Sequence, residues 1–212
     1  MDLTEGTCSN MAGPNAILLS NEADVILLIR SHSTQDDISF CVSTGMLKPA
    51  SKVFRVLLDG DFAEGKMSDN APCPRIILEE DDADAMAVIL RILHHDHQSL
   101  PKALDLRRIS SLAIHCDKFD CAGILRPWLL DWLARTPPVG DRPTDVGLLI
   151  LTTYFLRASP QFSAATSQAC KVLNPTFRRH WVSDDRVQRL PENIMGKMGT
   201  CLIAMVVAAN PY

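Results

Sequence analysis

The order of hydrophobic patterns along the chain predicts an α+β fold. Three short strand-like segments come first: the continuous apolar run Val25-Ile26-Leu27-Leu28-Ile29, the alternating Ile38, Phe40 and Val42, and the triplet Ile76-Ile77-Leu78. Helical spacing dominates the rest. With 212 residues, 47% of them hydrophobic and 22% charged, the chain is close to the average globular composition and long enough to bury a core of useful size.

Residues 1–20 are small, polar and without period, and read as a flexible tail. Val25–Ile29 has the pattern of a strand buried on both faces, and Ile38–Val42 that of a half-buried strand, so the two predict a β-hairpin across the polar stretch 31–37. Leu47, Ala50, Phe54, Leu57 and Leu58 fall on one helical face. Pro49 divides that stretch into a turn and a helix starting near Ser51. Gly65, Pro72 and Pro74 make 65–74 a loop before the third strand.

Amphipathic helices are then predicted around Ala83, Met86, Ala87 and Leu90, around Ile109, Leu112, Ala113 and Cys116, and around Leu125, Trp128, Leu129 and Trp132. The acidic run Glu79–Asp82 suits the start of the first of these. Thr136-Pro137-Pro138-Val139-Gly140 is the clearest break. The resulting organisation is a tail over 1–20, a sheet-and-helix domain over 21–135, a linker at 136–142, a helical extension over 143–200 and a C-terminal tail over 201–212. Helices are expected at 144–158 and 161–173, and another starting near Leu190-Pro191.

Several function classes are disfavoured at this point. A formal net charge of −4 and a pI of about 5.8 leave no basic field for a phosphate backbone, so no nucleic-acid partner is expected. The longest apolar runs fall well short of the roughly 20 residues of a membrane-spanning helix, so no membrane partner is expected either. Seven scattered cysteines, with no secretory signal and no glycosylation acceptor, predict a reduced compartment, cytoplasm or nucleus.

The chemistry-bearing candidates are few. Gly60–Lys66 imitates a phosphate loop, but Met67 stands where Ser or Thr is needed, and the surrounding elements are wrong. His94, His95, His97, His115, Cys116 and Cys121 invite a metal reading. Neighbouring His94 and His95 diverge on a helix, however, and Cys116 reads as core, so no metal and no cofactor are expected. Glu79–Asp82 with Asp84 lacks the glycine and spacing of a calcium loop and reads as helix capping. Arg178-Arg179-His180-Trp181 reads as a solvated turn with Trp181 docked on the helices. No nucleophile stands beside an evident base, so an enzyme is the poorer reading and a metal protein the remotest.

A family resemblance rests on more specific residues. Asp24-Val25-Ile26-Leu27, Phe40-x-Val42, Leu47-x-x-Ala50-Ser51-x-x-Phe54-x-x-x-Leu58 and Ile76-x-Leu78-x-x-Asp81-Asp82 occur in order. Leu90-x-x-Leu93-His94-His95, Leu112-Ala113-x-x-x-Asp117-Lys118-Phe119-Asp120-Cys121, Leu125-Arg126-Pro127-Trp128 and Leu190-Pro191-x-x-Ile194 continue the series. Over residues 21–198 the chain resembles BTB/POZ domain proteins of the filamentous-fungal type. The resemblance implies a small, mainly antiparallel sheet flanked by helical hairpins, with a C-terminal helical extension. It implies a non-catalytic adaptor that binds other proteins. Phe62-Ala63-Glu64 matches the hydrophobic-x-Glu pattern that such adaptors of cullin ubiquitin ligases place against the cullin, which makes Phe62, Ala63 and Glu64 the expected partner-binding residues. The alternative is a self-associating, homodimeric scaffold or nuclear regulatory protein with no cullin contact. Ser43-Thr44 replaces the His-plus-basic pair of many members. With Thr44 opposite Asp24 no fully charged pocket can form, and Asp24 is expected to be structural.

Overall fold

The computed structural model describes residues 8, 13, 16–30, 37–59, 73–174 and 176–209, with 202–209 described by backbone alone. It is a mixed α+β structure. The chain divides into two compact units, Met1–Lys102 with His115–Leu125, and Ala103–Ile114 with Arg126–Tyr212.

The first unit holds a sheet of strand order β1-β3-β2-β4, formed by β1 (Ile17–Leu18), β2 (Val25–Arg30), β3 (Ile38–Val42) and β4 (Arg75–Glu79). β2 and β3 pair antiparallel with Val25 opposite Val42, the predicted hairpin. β4 runs parallel to β2, with Ile26 opposite Arg75 and Arg30 opposite Glu79, and β1 runs parallel to β3, so the sheet is mixed rather than mainly antiparallel as the resemblance implied. At that end Arg30 Nη1 lies 3.1 Å from Glu79 Oε1, an opposite-charge pair across neighbouring strands.

Three further details differ from expectation. Ile17–Leu18 lies in the stretch read as a tail, yet it pairs parallel with β3, Ile17 opposite Phe40; two residues carry no readable period. Cys41 occupies the polar phase of the alternation but is fully buried, clustered with Cys8, Ile26 and Cys73. The strand is thus covered on both faces. Cys8 and Cys73 form a disulfide with a Cα–Cα distance of 5.4 Å, in contrast to the expectation of reduced thiols throughout.

Because β4 lies on the far side of β2 from β3, the connection from β3 to β4 must cross past β2. Helices α1 (Thr44–Ala50) and α2 (Lys52–Leu58) lie in that connection. The expected turn around Pro49 is a helix instead. Pro49 stands inside α1, close to its end, so only one late amide donor is lost before the backbone turns extended at Ser51 (φ −149°, ψ 131°). Ser51 then caps α2. Its Oγ accepts from Phe54 N at 3.0 Å and donates to the Phe119 carbonyl, while the Phe54 and Phe119 rings stack at 4.7 Å.

α3 (Ala83–Leu93) follows β4. Asp82 caps it by accepting from the amides of Asp84 and Ala85, which is the predicted use of that acidic residue. α4 (Leu106–Lys118) and α5 (Ala122–Arg135) each contribute residues to both units.

The second unit contains α6 (Pro143–Phe155), α7 (Ser159–Val172), α8 (Phe177–Trp181), a 3-10 turn (Val187–Arg189) and α9 (Glu192–Ala209). Pro143 occupies the first turn of α6, where its missing N–H costs nothing. The backbone of α9 stays helical through 201–209, the stretch read as a C-terminal tail. The core of this unit gathers around Trp181, which is fully buried. Its Nε1 donates to the Pro143 carbonyl at 2.7 Å, and the Phe177 ring meets it edge-on at 4.5 Å. Gly147 makes that approach possible: a Cβ there would lie 2.8 Å from Trp181 Nε1 and 2.9 Å from Val187 Cγ1. No described helix is long and apolar enough to cross a membrane.

Candidate functional site

The start of α1 is fixed by side chains from two other elements. Ser43, the residue ahead of the helix, makes no side-chain cap. Asp24, at the entry to β2, takes that role: its Oδ1 accepts from Thr44 N at 2.8 Å and its Oδ2 from Thr44 Oγ1 at 2.6 Å. Asp24 also donates its backbone N–H to the Val42 carbonyl at 3.1 Å, extending the β2–β3 ladder by one residue. A carboxylate at a helix N-terminus satisfies orphan amides and complements the helix dipole.

His94, at the end of α3, supplies the second clamp. Ser43 N donates to its Nε2 at 3.0 Å, so Nδ1 carries the ring proton and donates to the Leu90 carbonyl at 2.8 Å. Both nitrogens of a buried ring are therefore engaged. Burial is the main reason that its pKa falls below the ordinary histidine value, with the charge of His95 acting in the same direction against the Leu90 carbonyl and Asp24. A neutral His94 holds the α1 entrance and has no lone pair free for a metal.

Between α1 and the end of α3 lies a groove of about 380 Å³, lined by Met46, Pro49, Ala50, Ile92, His95 and Ile124 among others. Two of its lining residues face solvent, Met46 at 38% and Ile124 at 45% exposed, and on α2 Val53 and Val56 are each 38% exposed. Val53 and Val56 are one helical turn apart, so they share a face of α2. The groove is the described surface best suited to a protein partner.

A second polar constellation underlies α3. The Asp81 side chain is only 1% exposed and lies 2.7 Å from Lys118 Nζ and 3.4 Å from His115 Nε2, which also accepts from the Asp82 amide at 3.1 Å. Burial alone would push the Asp81 carboxyl up. The hydrogen bond and charge of Lys118, with the His115 ring beside them, outweigh it, and the carboxyl sits below its ordinary range. The sequence reading treated this acidic run as capping, which holds for Asp82 but misses Asp81. The available signal was Asp117-Lys118-Phe119, with Lys118 spaced i, i+3 from His115 so that both reach one side of α4.

The expected partner-binding residues Phe62, Ala63 and Glu64, and the phosphate-loop imitation at Gly60–Lys66, lie outside the described residues. The histidines do not converge: His94 belongs to the α1 entrance and His115 to Asp81–Asp82, while the His95 and His97 rings meet edge-on at 5.9 Å. Among the described residues no group of three His, Cys, Asp or Glu side chains is placed to hold a metal. Cys116 and Cys121 are buried, and the contact between them is the first of the causes raising the Cys116 thiol well above its usual range. Arg178–Trp181 forms the short helix α8, with Arg178 paired to Glu192 and Trp181 turned inward. No protein-family model matches the chain, and no curated protein matches it.

Proposed function

We propose that the chain is a non-catalytic protein-interaction module of the BTB/POZ type, an adaptor joining a cullin ubiquitin ligase to a substrate. The motif series from Asp24 to Ile194 is the basis for the family reading. A small mixed sheet with a helix pair in its crossover is compatible with it. The observation that supports the function is the α1–α3 groove with the half-exposed apolar side chains Met46 and Ile124 in its lining, since apolar concave surface is what protein partners cover. In this reading Phe62 is the anchor that enters a cullin pocket, Glu64 orients the approach, and residues 143–200 recruit the substrate.

The test is calorimetric titration of the full chain with the cullin N-terminal region from the same organism, beside the Phe62→Ala variant. Binding that the substitution weakens supports the adaptor. A folded wild-type chain that does not bind, or a variant that binds equally well, overturns the cullin contact.

A second reading is self-association without a cullin, favoured by the valine pair Val53 and Val56 on one face of α2. Here Val56→Asp shifts a dimer to monomer in sedimentation equilibrium, whereas a wild-type monomer at high concentration removes this reading. Cytoplasm or nucleus is the proposed compartment. The Cys8–Cys73 bridge is the observation against it, and alkylation during isolation decides: a free Cys8 supports the proposal, and a bridged one points to an oxidising compartment.

A further inference from the structure

A second thiol pair lies in the helical unit. Cys170, near the end of α7, and Cys201, midway along α9, place their sulfurs 3.0 Å apart. A disulfide needs about 2.05 Å, so the sulfurs are roughly 1 Å from bonding distance. The pair lines a cleft of about 520 Å³ whose wall includes Tyr154, Phe162, Ile194 and Met198. Cys201 is exposed and Cys170 half-buried. A small oxidant therefore reaches Cys201 through solvent, and a thiol waits behind it. The buried Cys41, Cys116 and Cys121 offer no such access.

We propose that Cys170 and Cys201 are a redox-modification site, at which a peroxide converts the dithiol to a disulfide that ties α7 to α9. In the first step the Cys201 sulfur attacks hydrogen peroxide; the O–O bond breaks, giving the Cys201 sulfenic acid and one water. In the second step the Cys170 sulfur attacks the sulfenic sulfur, the S–O bond breaks, and the Cys170 proton leaves with the hydroxide as a second water. The two thiols are oxidised and the peroxide is reduced. Burial, with the hydrogen bond to Cys201, pushes the Cys170 thiol up to about 11, so Cys170 stays protonated at neutral pH and is cast as the resolving group. The cross-link closes a loop of chain that includes α8 and the 3-10 turn, and it restrains α9 in the folded state and the unfolded chain alike.

The test treats the reduced, full-length protein with hydrogen peroxide, then maps cysteines by mass spectrometry and records thermal unfolding. The expected result is a peptide linking Cys170 to Cys201, a melting temperature several degrees above the reduced protein, and reversal of both by dithiothreitol. Cys201→Ser carries the Cys8–Cys73 pair through the same cycle and is expected to show no rise from the second pair. Cys170→Ser is expected to leave Cys201 as sulfinic acid. The proposal is overturned if wild-type Cys201 reaches sulfinic acid without a link, if the link joins other cysteines, or if it forms without raising the melting temperature above that of Cys201→Ser.

Discussion

The sheet unit and the helical unit hold themselves together with different chemistry. Among the described residues, the sheet unit buries Asp81, His94 and His115. Each of the three bonds a group distant in sequence: His94 the Ser43 amide, His115 the Asp82 amide and Asp81 the Lys118 ammonium. Among the described residues, the buried polar side chains of the helical unit are the hydroxyls of Ser110, Thr152 and Thr153, and its core centres on Trp181. Ser110 Oγ and Thr152 Oγ1 bond each other at 2.9 Å, a contact indifferent to pH. The difference teaches that acid should act first on the unit that carries the proposed docking surface, while volume changes should act most strongly on the other.

The largest single effect is expected at Trp181. Trp181→Ala removes a fully buried indole together with its bond to the Pro143 carbonyl, and a loss of about 3–5 kcal/mol is expected from urea unfolding. Gly147→Ala attacks the same packing from the opposite side. Its new methyl would meet the indole and Val187, with an expected cost of about 1–3 kcal/mol. If Gly147→Ala is neutral, the close approach of α6 to Trp181 is wrong.

In the sheet unit, His94→Leu leaves the Ser43 amide without its acceptor, an expected cost of about 1–3 kcal/mol at neutral pH. The pH dependence sharpens this. The folded pKa of His94 is depressed, so the unfolded chain takes up the proton first as pH falls. Stability is therefore full above about 6.5 and declines below it toward the depressed folded value. His94→Leu should flatten that part of the profile. Asp81 acts lower on the scale. Its depressed pKa contributes stability above the ordinary carboxylate range that is lost as pH falls through the folded value. Lys118→Met removes a half-exposed partner, so its neutral-pH cost is modest, about 1 kcal/mol, and the Asp81 share of the acid loss should shrink, because the folded carboxyl is no longer held as far below its unfolded value. Thr44→Val is the smallest change. It deletes one hydroxyl bond to Asp24 and keeps the amide bond, for about 0.5–1 kcal/mol.

What the sequence revealed follows from what is local. β2, β3 and β4 and the longer helices carry enough residues for a period to stand out, and Asp82 caps α3 because capping is decided within four residues. β1 and α8 are too short to show a period, and Pro49 read as a break because its place near the end of α1 depends on where the chain leaves the helix. The site features were the least legible. His94 stood out in the sequence as a metal candidate, and the approach of Ser43, 51 residues away in sequence, makes it a clamp instead. Asp81 was hidden among neighbouring acids, and only the packing of α4 brings its carboxylate to Lys118 and His115. Cys170 and Cys201 converge only after α7 and α9 pack, so no spacing rule signals them.

Amide hydrogen exchange, followed residue by residue at about pH 7.5 and about pH 5, reads both units in one sample. At the lower pH, after correction for intrinsic exchange rates, amides of β2, α1 and α3 are expected to lose protection while those of α6 through α8 keep theirs. His94→Leu is expected to remove most of that difference. Equal loss of protection in both units, or loss confined to the helices around Trp181, would contradict that expectation.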